Sequence, residues 1–514
     1  MKDKALMVRG LWIVLLLEYV FIFSVICNYH MASFSEEKFV SHKWILSNGH
    51  QWHWEDFGKF VNTEVIELCG DRLSRPVSNF VEVLNAKFRA NCWNFIPPHP
   101  SFSLMWLLSF ITLPFFLFNF FKNMGCAAPV AFTGTCWYIG SVGFLSPLNM
   151  LFHPAKSLVN FLGVLTLFMG SKFFAQFAQK SDGGVVRDIP HGWLYVAGFF
   201  SCLALALFSD ETGLFIYVMA FFIFTPVFFG KLRECCFLIG AMLVLPVVYG
   251  AVVFWGLPWL HFWLYGHVNN LSHYGSLPRI SHLFLPDLKN FQTNFYWLLG
   301  DHPHLRLDIS SFLPYPHLFI LQSLYTIALG LVMYAFVRNF NLRRIWNVSA
   351  SVFLAIAFVF FHTFQLSNNA RIWGVWWYGS LFSLVYCLLL TFILQHAWEG
   401  QKTHVLRRYL VLVTAIMVCH TLVFATYRIN YFNVKSGPPG EGHPFIPADT
   451  RQYQHFSFLD SMQRSRCEYL YTVHQWAKAK NRIVANTPES DACIQALQKD
   501  DAFMRQSAYL SIEL

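Results

Sequence analysis

Residues 193–230 read WLYVAGFFSCLALALFSDETGLFIYVMAFFIFTPVFFG. Two apolar runs, about 193–208 and 212–230, enclose one polar turn, Ser209-Asp210-Glu211-Thr212, and neither run carries a charge. A helix of about 20 apolar residues crosses roughly 30 Å of hydrocarbon. Inside lipid every backbone N–H and C=O must find an internal partner, which a helix provides. The alternation of a membrane β-barrel is absent. The stretch therefore reads as two transmembrane helices folded back on each other through a tight turn.

The rest of the chain repeats this pattern. Of its 514 residues 55% are hydrophobic and 13% charged, against about a quarter charged in soluble domains. A 19-residue hydropathy window adds spans near 10–28, 103–121, 127–145, 157–177, 235–256, 317–337, 346–364, 374–395 and 408–426. The expected fold is an all-α integral membrane protein of about 11 transmembrane helices. A transmembrane domain over 1–426 would carry external inserts at about 29–102 and 257–316. Residues 427–514 would form a small external tail, opened by the linker Ser436-Gly-Pro-Pro-Gly-Glu-Gly442.

Basic residues orient this arrangement. Lys2, Lys4 and Arg9, then Lys122, Lys180 and Arg187, Lys231 and Arg233, Arg338, Arg343 and Arg344, and Lys402, Arg407 and Arg408 fall on one side of the spans as drawn. The positive-inside rule makes that side cytoplasmic. The N-terminus is then cytoplasmic and the C-terminus extracytoplasmic. These loops account for much of the net charge of +9, so the charge points to membrane lipids and not to nucleic acid. The first apolar run is long for a signal peptide and lacks a small-x-small site after it, so it reads as a retained span. Cys69 with Cys92, and Cys467 with Cys493, fall in external segments, where two disulfides are compatible with the compartment; sequence leaves their pairing open.

Polar mass, and with it chemistry, collects on the external side. Insert 29–102 contains Trp52-His53-Trp54-Glu55-Asp56-Phe57, where aromatic neighbours would raise a carboxylate pKa by desolvation; a solvated loop acid is the plainer alternative. Over Arg72–Arg89 the spacing predicts an amphipathic interfacial helix with Phe80, Val81, Leu84 and Phe88 on one side. Pro76 suits its first turn, so Arg75 would stand beside free helix amides, a setting for phosphate; snorkelling to headgroups explains it equally well. The turn at Asp210 and Glu211 sets two acids against hydrocarbon, where acids are costly and mark function, or else simply caps a helix. His153 and Lys156, in Phe152-His153-Pro154-Ala155-Lys156, and Arg371, in Asn369-Ala370-Arg371-Ile372, are further external candidates, with interfacial anchoring as the alternative. Glu18, inside the first span, is a candidate partner for Lys172. No His cluster has zinc spacing, so no metal site is assigned, and dependence on a divalent metal is left open. No nucleotide-binding or nucleophile-elbow motif stands in a suitable context.

Taken in order, Glu55-Asp56, Arg75-Pro76-Val77-Ser78, His153-Pro154 and Ser209-Asp210-Glu211-Thr212-Gly213 resemble the motifs of the GT-C superfamily of polytopic glycosyltransferases. The nearest branch includes the protein O-mannosyltransferases and the tetratricopeptide-bearing transmembrane mannosyltransferases. The resemblance covers about residues 10–230 and weakens to about 426. It implies a GT-C-like fold and transfer of a sugar from a polyprenyl-phosphate donor to a glycan, lipid-linked or protein acceptor on the extracytoplasmic face, with a bacterial inner membrane as the setting. It also implies that Asp56 or Glu55 is the catalytic acid/base, that Arg75 serves the donor phosphate, and that Glu211 lines the site. Arg371 is a second candidate for the phosphate. The acidic pair stands here in the order Glu-Asp, Asp210 replaces the usual Lys, and the tail lacks the tetratricopeptide pattern. Two other readings compete. A polysaccharide polymerase or ligase would use Arg279 and Arg306 in insert 257–316, and a transporter or flippase would use polar groups inside the spans.

Overall fold

The computed structural model describes residues 104–141, 154–181, 192–210, 212–230, 232–256, 316–339, 346–366, 380–400, 404–432 and 488–499, with separate positions within 9–20, 77–84, 144, 259–263 and 478. The described residues are helical, with no strand among them. The helices are α1 (Leu104–Asn123), α2 (Ala128–Ile139), α3 (Pro154–Ser181), α4 (Gly192–Leu207), α5 (Gly213–Gly230) and α6 (Leu232–Ala251), which runs into a π-turn at Val252–Gly256. There follow α7 (Pro316–Arg338), α8 (Trp346–Leu366), α9 (Ser380–Glu399), α10 (His404–Phe432) and, in the tail, α11 (Pro488–Gln498). Each apolar stretch from 103 onward thus has a helix over it. In the first stretch, Trp12, Ile13, Leu16, Leu17 and Val20 are helical.

These helices are apolar on more than one face. Along α7, Leu318, Tyr325, Ala328, Val332 and Phe336 are buried, while Ile320, Leu324, Ile327, Tyr334 and Val337 are exposed. A helix that buries one apolar face in protein and presents another outward is matched to lipid. By length and composition, Ser157–Phe174 in α3, all of α7 and Leu381–Glu399 in α9 can cross a membrane, and five shorter apolar helices accompany them. This is the architecture of a membrane protein.

Side-chain contacts set the register. Ser109 Oγ donates to the Ser157 carbonyl at 3.4 Å and Asn123 Nδ2 to Ser171 Oγ at 3.0 Å, both 48 residues apart, so α1 and α3 run parallel. α3 also packs on α4 and α5. Its glycines allow the approach: a Cβ at Gly163 would lie 3.2 Å from Ile216 Cδ1, and one at Gly170 2.5 Å from Phe224 Cε2. Small residues at such crossings let helix backbones come close where lipid offers no hydrophobic drive. Trp12 packs on Phe115 and Phe118, with ring centroids 5.4 and 4.9 Å apart, which seats the first apolar stretch against α1.

One end of the bundle is tied by polar caps. Gly125, at φ 87°, turns the chain between α1 and α2, a conformation only glycine adopts without strain. Lys122 Nζ donates to the Cys126 carbonyl at 3.0 Å. Gln395 of α9 accepts from the Ala127 amide at 2.8 Å, and its Nε2 lies 2.8 Å from Glu399 Oε1. His396 Nε2 lies 2.8 Å from the Asn339 carbonyl just past α7. Lys122 and Arg338, placed on one side by the charge pattern, therefore do lie at the same end.

Candidate functional site

At the other end lies the turn quoted first. Asp210 is 1% exposed, and Ser209 and Thr212 are buried beside it. Asp210 Oδ1 accepts from the Thr212 amide at 3.0 Å and from the Thr212 hydroxyl at 2.6 Å. The Gly213 amide donates to the Asp210 carbonyl at 2.8 Å. An Asp that bonds two residues ahead closes a turn, and a carboxylate here also faces the positive end of the α5 dipole. Asp210 thus closes a buried turn directly ahead of α5. Gly213 is required by close approach, since a Cβ there would meet the Ala206 carbonyl.

The same turn holds a distant segment. The Val77 amide donates to the Phe208 carbonyl at 3.1 Å, and Ser78 is buried. Val77 and Phe208 thus meet, although they are far apart in the chain. Val77, Ser78, Phe80, Val81 and Leu84 are helical, as the amphipathic pattern predicts. Val77 and Val81, one turn apart, pack against the core, while Phe80 is 42% exposed.

The starts of α5 and α9 meet the third turn of α3 toward this end. The Cβ position of Gly163 faces Ile216 in the first turn of α5 and also Leu381 in the first turn of α9, at 3.7 Å. α3 begins at Pro154, directly after His153. The backbone of Lys156 lies in its first turn, and the Lys156 side chain is outside the described residues, as are Glu55, Asp56, Arg75, His153, Glu211 and Arg371. Cys69, Cys92 and Cys467, the Cys493 side chain, Glu18, Arg279 and Arg306 also lie outside them. Lys172 sits with Nζ 6.0 Å from the Phe168 ring centroid on its own helix. Among the described residues no group of three His, Cys, Asp or Glu is placed to hold a metal ion.

No protein-family model matches the chain, and no curated protein or solved structure matches it.

One buried polar group was not among the sequence candidates. His420 of α10 and Gln322 of α7 are fully buried and joined at 2.6 Å, Nε2 to Oε1. Tyr325 stacks on the His420 ring with centroids 3.9 Å apart and planes at 18°. Gln322 and His420 interrupt the apolar runs of 317–337 and 408–426, and that interruption was the available signal. Each is followed by one hydroxyl residue, Ser323 and Thr421, with no motif around it. In a low-dielectric interior such a pair must be satisfied locally, and here it fastens α7 to α10.

Proposed function

We propose that the chain is a membrane glycosyltransferase of GT-C type, with about 11 transmembrane helices and its N-terminus in the cytoplasm of a bacterial cell. It moves a sugar from a polyprenyl-phosphate donor to a hydroxyl on a glycan, lipid-linked or protein acceptor at the extracytoplasmic face of the inner membrane. The observation that carries the reading is the Val77-to-Phe208 hydrogen bond at 3.1 Å. It sets Val77, of one motif on which the GT-C resemblance rests, against Phe208, the residue before another. A carboxylate of the Glu55–Asp56 pair takes the proton from the acceptor hydroxyl as general base. The acceptor oxygen forms its bond to the anomeric carbon while the bond to the donor phosphate oxygen breaks. Arg75 and Arg371 stabilise the charge left on that phosphate. Asp210 acts one step removed, by holding the turn that carries Glu211. Purified Glu55→Gln and Asp56→Asn variants test this: if both keep full transfer activity, the assignment fails.

The His420–Gln322 pair favours a second reading, a transporter, because ionisable groups inside membrane spans often line solute or proton paths. Uptake into proteoliposomes without any covalent transfer would decide for it.

A further inference from the structure

The external end of α6 carries a surface that neither reading uses. Along α6, Phe237, Leu243, Val244, Val247 and Val248 are exposed apolar residues. Beyond the π-turn, Trp255, Trp259 and Trp263 are 73%, 66% and 69% exposed, with Phe262 exposed beside Trp263. Trp259, Phe262 and Trp263 are helical, and a spacing of four keeps residues on one helix face. Exposing three indoles to water would forfeit about 1.5–3 kcal/mol of burial each.

Length says what covers them. The 20 residues of α6 and the 5 of the π-turn span ~37 Å at 1.5 Å per residue. The hydrocarbon layer is about 30 Å thick. From Cys236, where the apolar part of α6 begins, to Trp255 the chain rises roughly 29 Å at about 1.5 Å per residue, so with Cys236 at one face of the hydrocarbon Trp255 lies near the other. In sequence Gly256 and Pro258 punctuate the chain there, and Pro suits the first turn of a new helix. Trp is enriched at this depth because its ring is apolar and its N–H seeks the polar layer.

We propose that Trp255, Trp259 and Trp263 form a lipid-binding face seated in the headgroup and acyl-carbonyl layer of the bilayer, so that the insert 257–316 begins along the membrane surface. The occupant is bilayer lipid, because the face continues the lipid-facing side of α6. This stands without the sugar-transfer reading. It also bears on the candidate site: the Tyr249 ring, near the end of α6, packs on Phe208 with centroids 5.3 Å apart. The lipid layer thus borders the Asp210 turn, and an amphiphilic substrate can approach it sideways from the membrane.

The test is photocrosslinking of the full chain in phosphatidylglycerol–phosphatidylcholine nanodiscs, with p-benzoylphenylalanine placed singly at 255, 259 and 263. The same probe at Val247 is the lipid-facing control and at Leu354 the buried control. Phospholipid adducts at 259 and 263 should match those at Val247 within about twofold. Adduct yields no higher than at Leu354 would overturn the proposal, as would crosslinks chiefly between two copies of the chain. Position 255 supplies the same readout if one of the other variants fails to fold.

Discussion

The two ends of the bundle satisfy their polar groups in different ways. At the end holding Lys122 and Arg338, long side chains reach across to backbone carbonyls and amides: Lys122 to Cys126, Gln395 to Ala127, His396 to Asn339. At the other end a short acid is buried in its own turn, and the Val77 amide donates to the Phe208 carbonyl just before it. Long flexible caps tolerate change, because water or a neighbouring group can replace them. A buried turn closed by short-range bonds does not. Rigid support belongs under a reacting site, which is why the proposed site is sought at the Asp210 end.

The largest effect expected from this contrast is at Gly213. Gly213→Ala drives a methyl into the Ala206 backbone and should cost about 2–3 kcal/mol, seen as a lower Tm in detergent or as loss of monodisperse protein. Gly125→Ala, at the opposite end, strains only one residue at φ 87° and should cost about 1 kcal/mol. Equal losses at the two glycines would break the comparison.

Asp210 comes next. Asp210→Ala removes the bonds to Thr212 and should cost about 1–2 kcal/mol, whereas Asp210→Asn keeps an acceptor and should stay within a few tenths. Transfer activity sharpens the result. If Asp210 only supports the turn, Asp210→Asn remains active; loss of activity at unchanged Tm would give it a direct part in the chemistry.

Gln395→Ala should cost about 1 kcal/mol and leave activity unchanged, as expected of a flexible cap. The smallest effect concerns Cys126 at the same end. Burial first, then the nearby Glu399, push its thiol up to about 12, with Lys122 pulling the other way. A thiolate is the reactive form, so at pH 8 Cys126 should resist maleimide in the folded protein and react only on unfolding. Rapid labelling in the folded state would show that this end opens.

Helix existence was legible because each run is long and nearly free of charge. The expected 103–121 and 317–337 became Leu104–Asn123 and Pro316–Arg338. The turn at Asp210 was legible for the same reason, since four polar residues between two apolar runs have no other place to go. Helix register was not. Nothing in the pattern pairs Ser109 with Ser157 or Val77 with Phe208, because these bonds depend on packing that only the folded chain supplies. Gln322 and His420 were visible as polar interruptions, but their partnership is a property of two helices and not of either run.

Glycan and glycolipid mass spectrometry of a deletion strain tests sugar transfer by the Glu55–Asp56 pair most directly. The strain should lack one sugar on a lipid, glycan or protein, restored by the wild-type chain and not by a Glu55→Gln/Asp56→Asn double variant expressed at the same level. An unchanged sugar profile, or full restoration by the double variant, would contradict it.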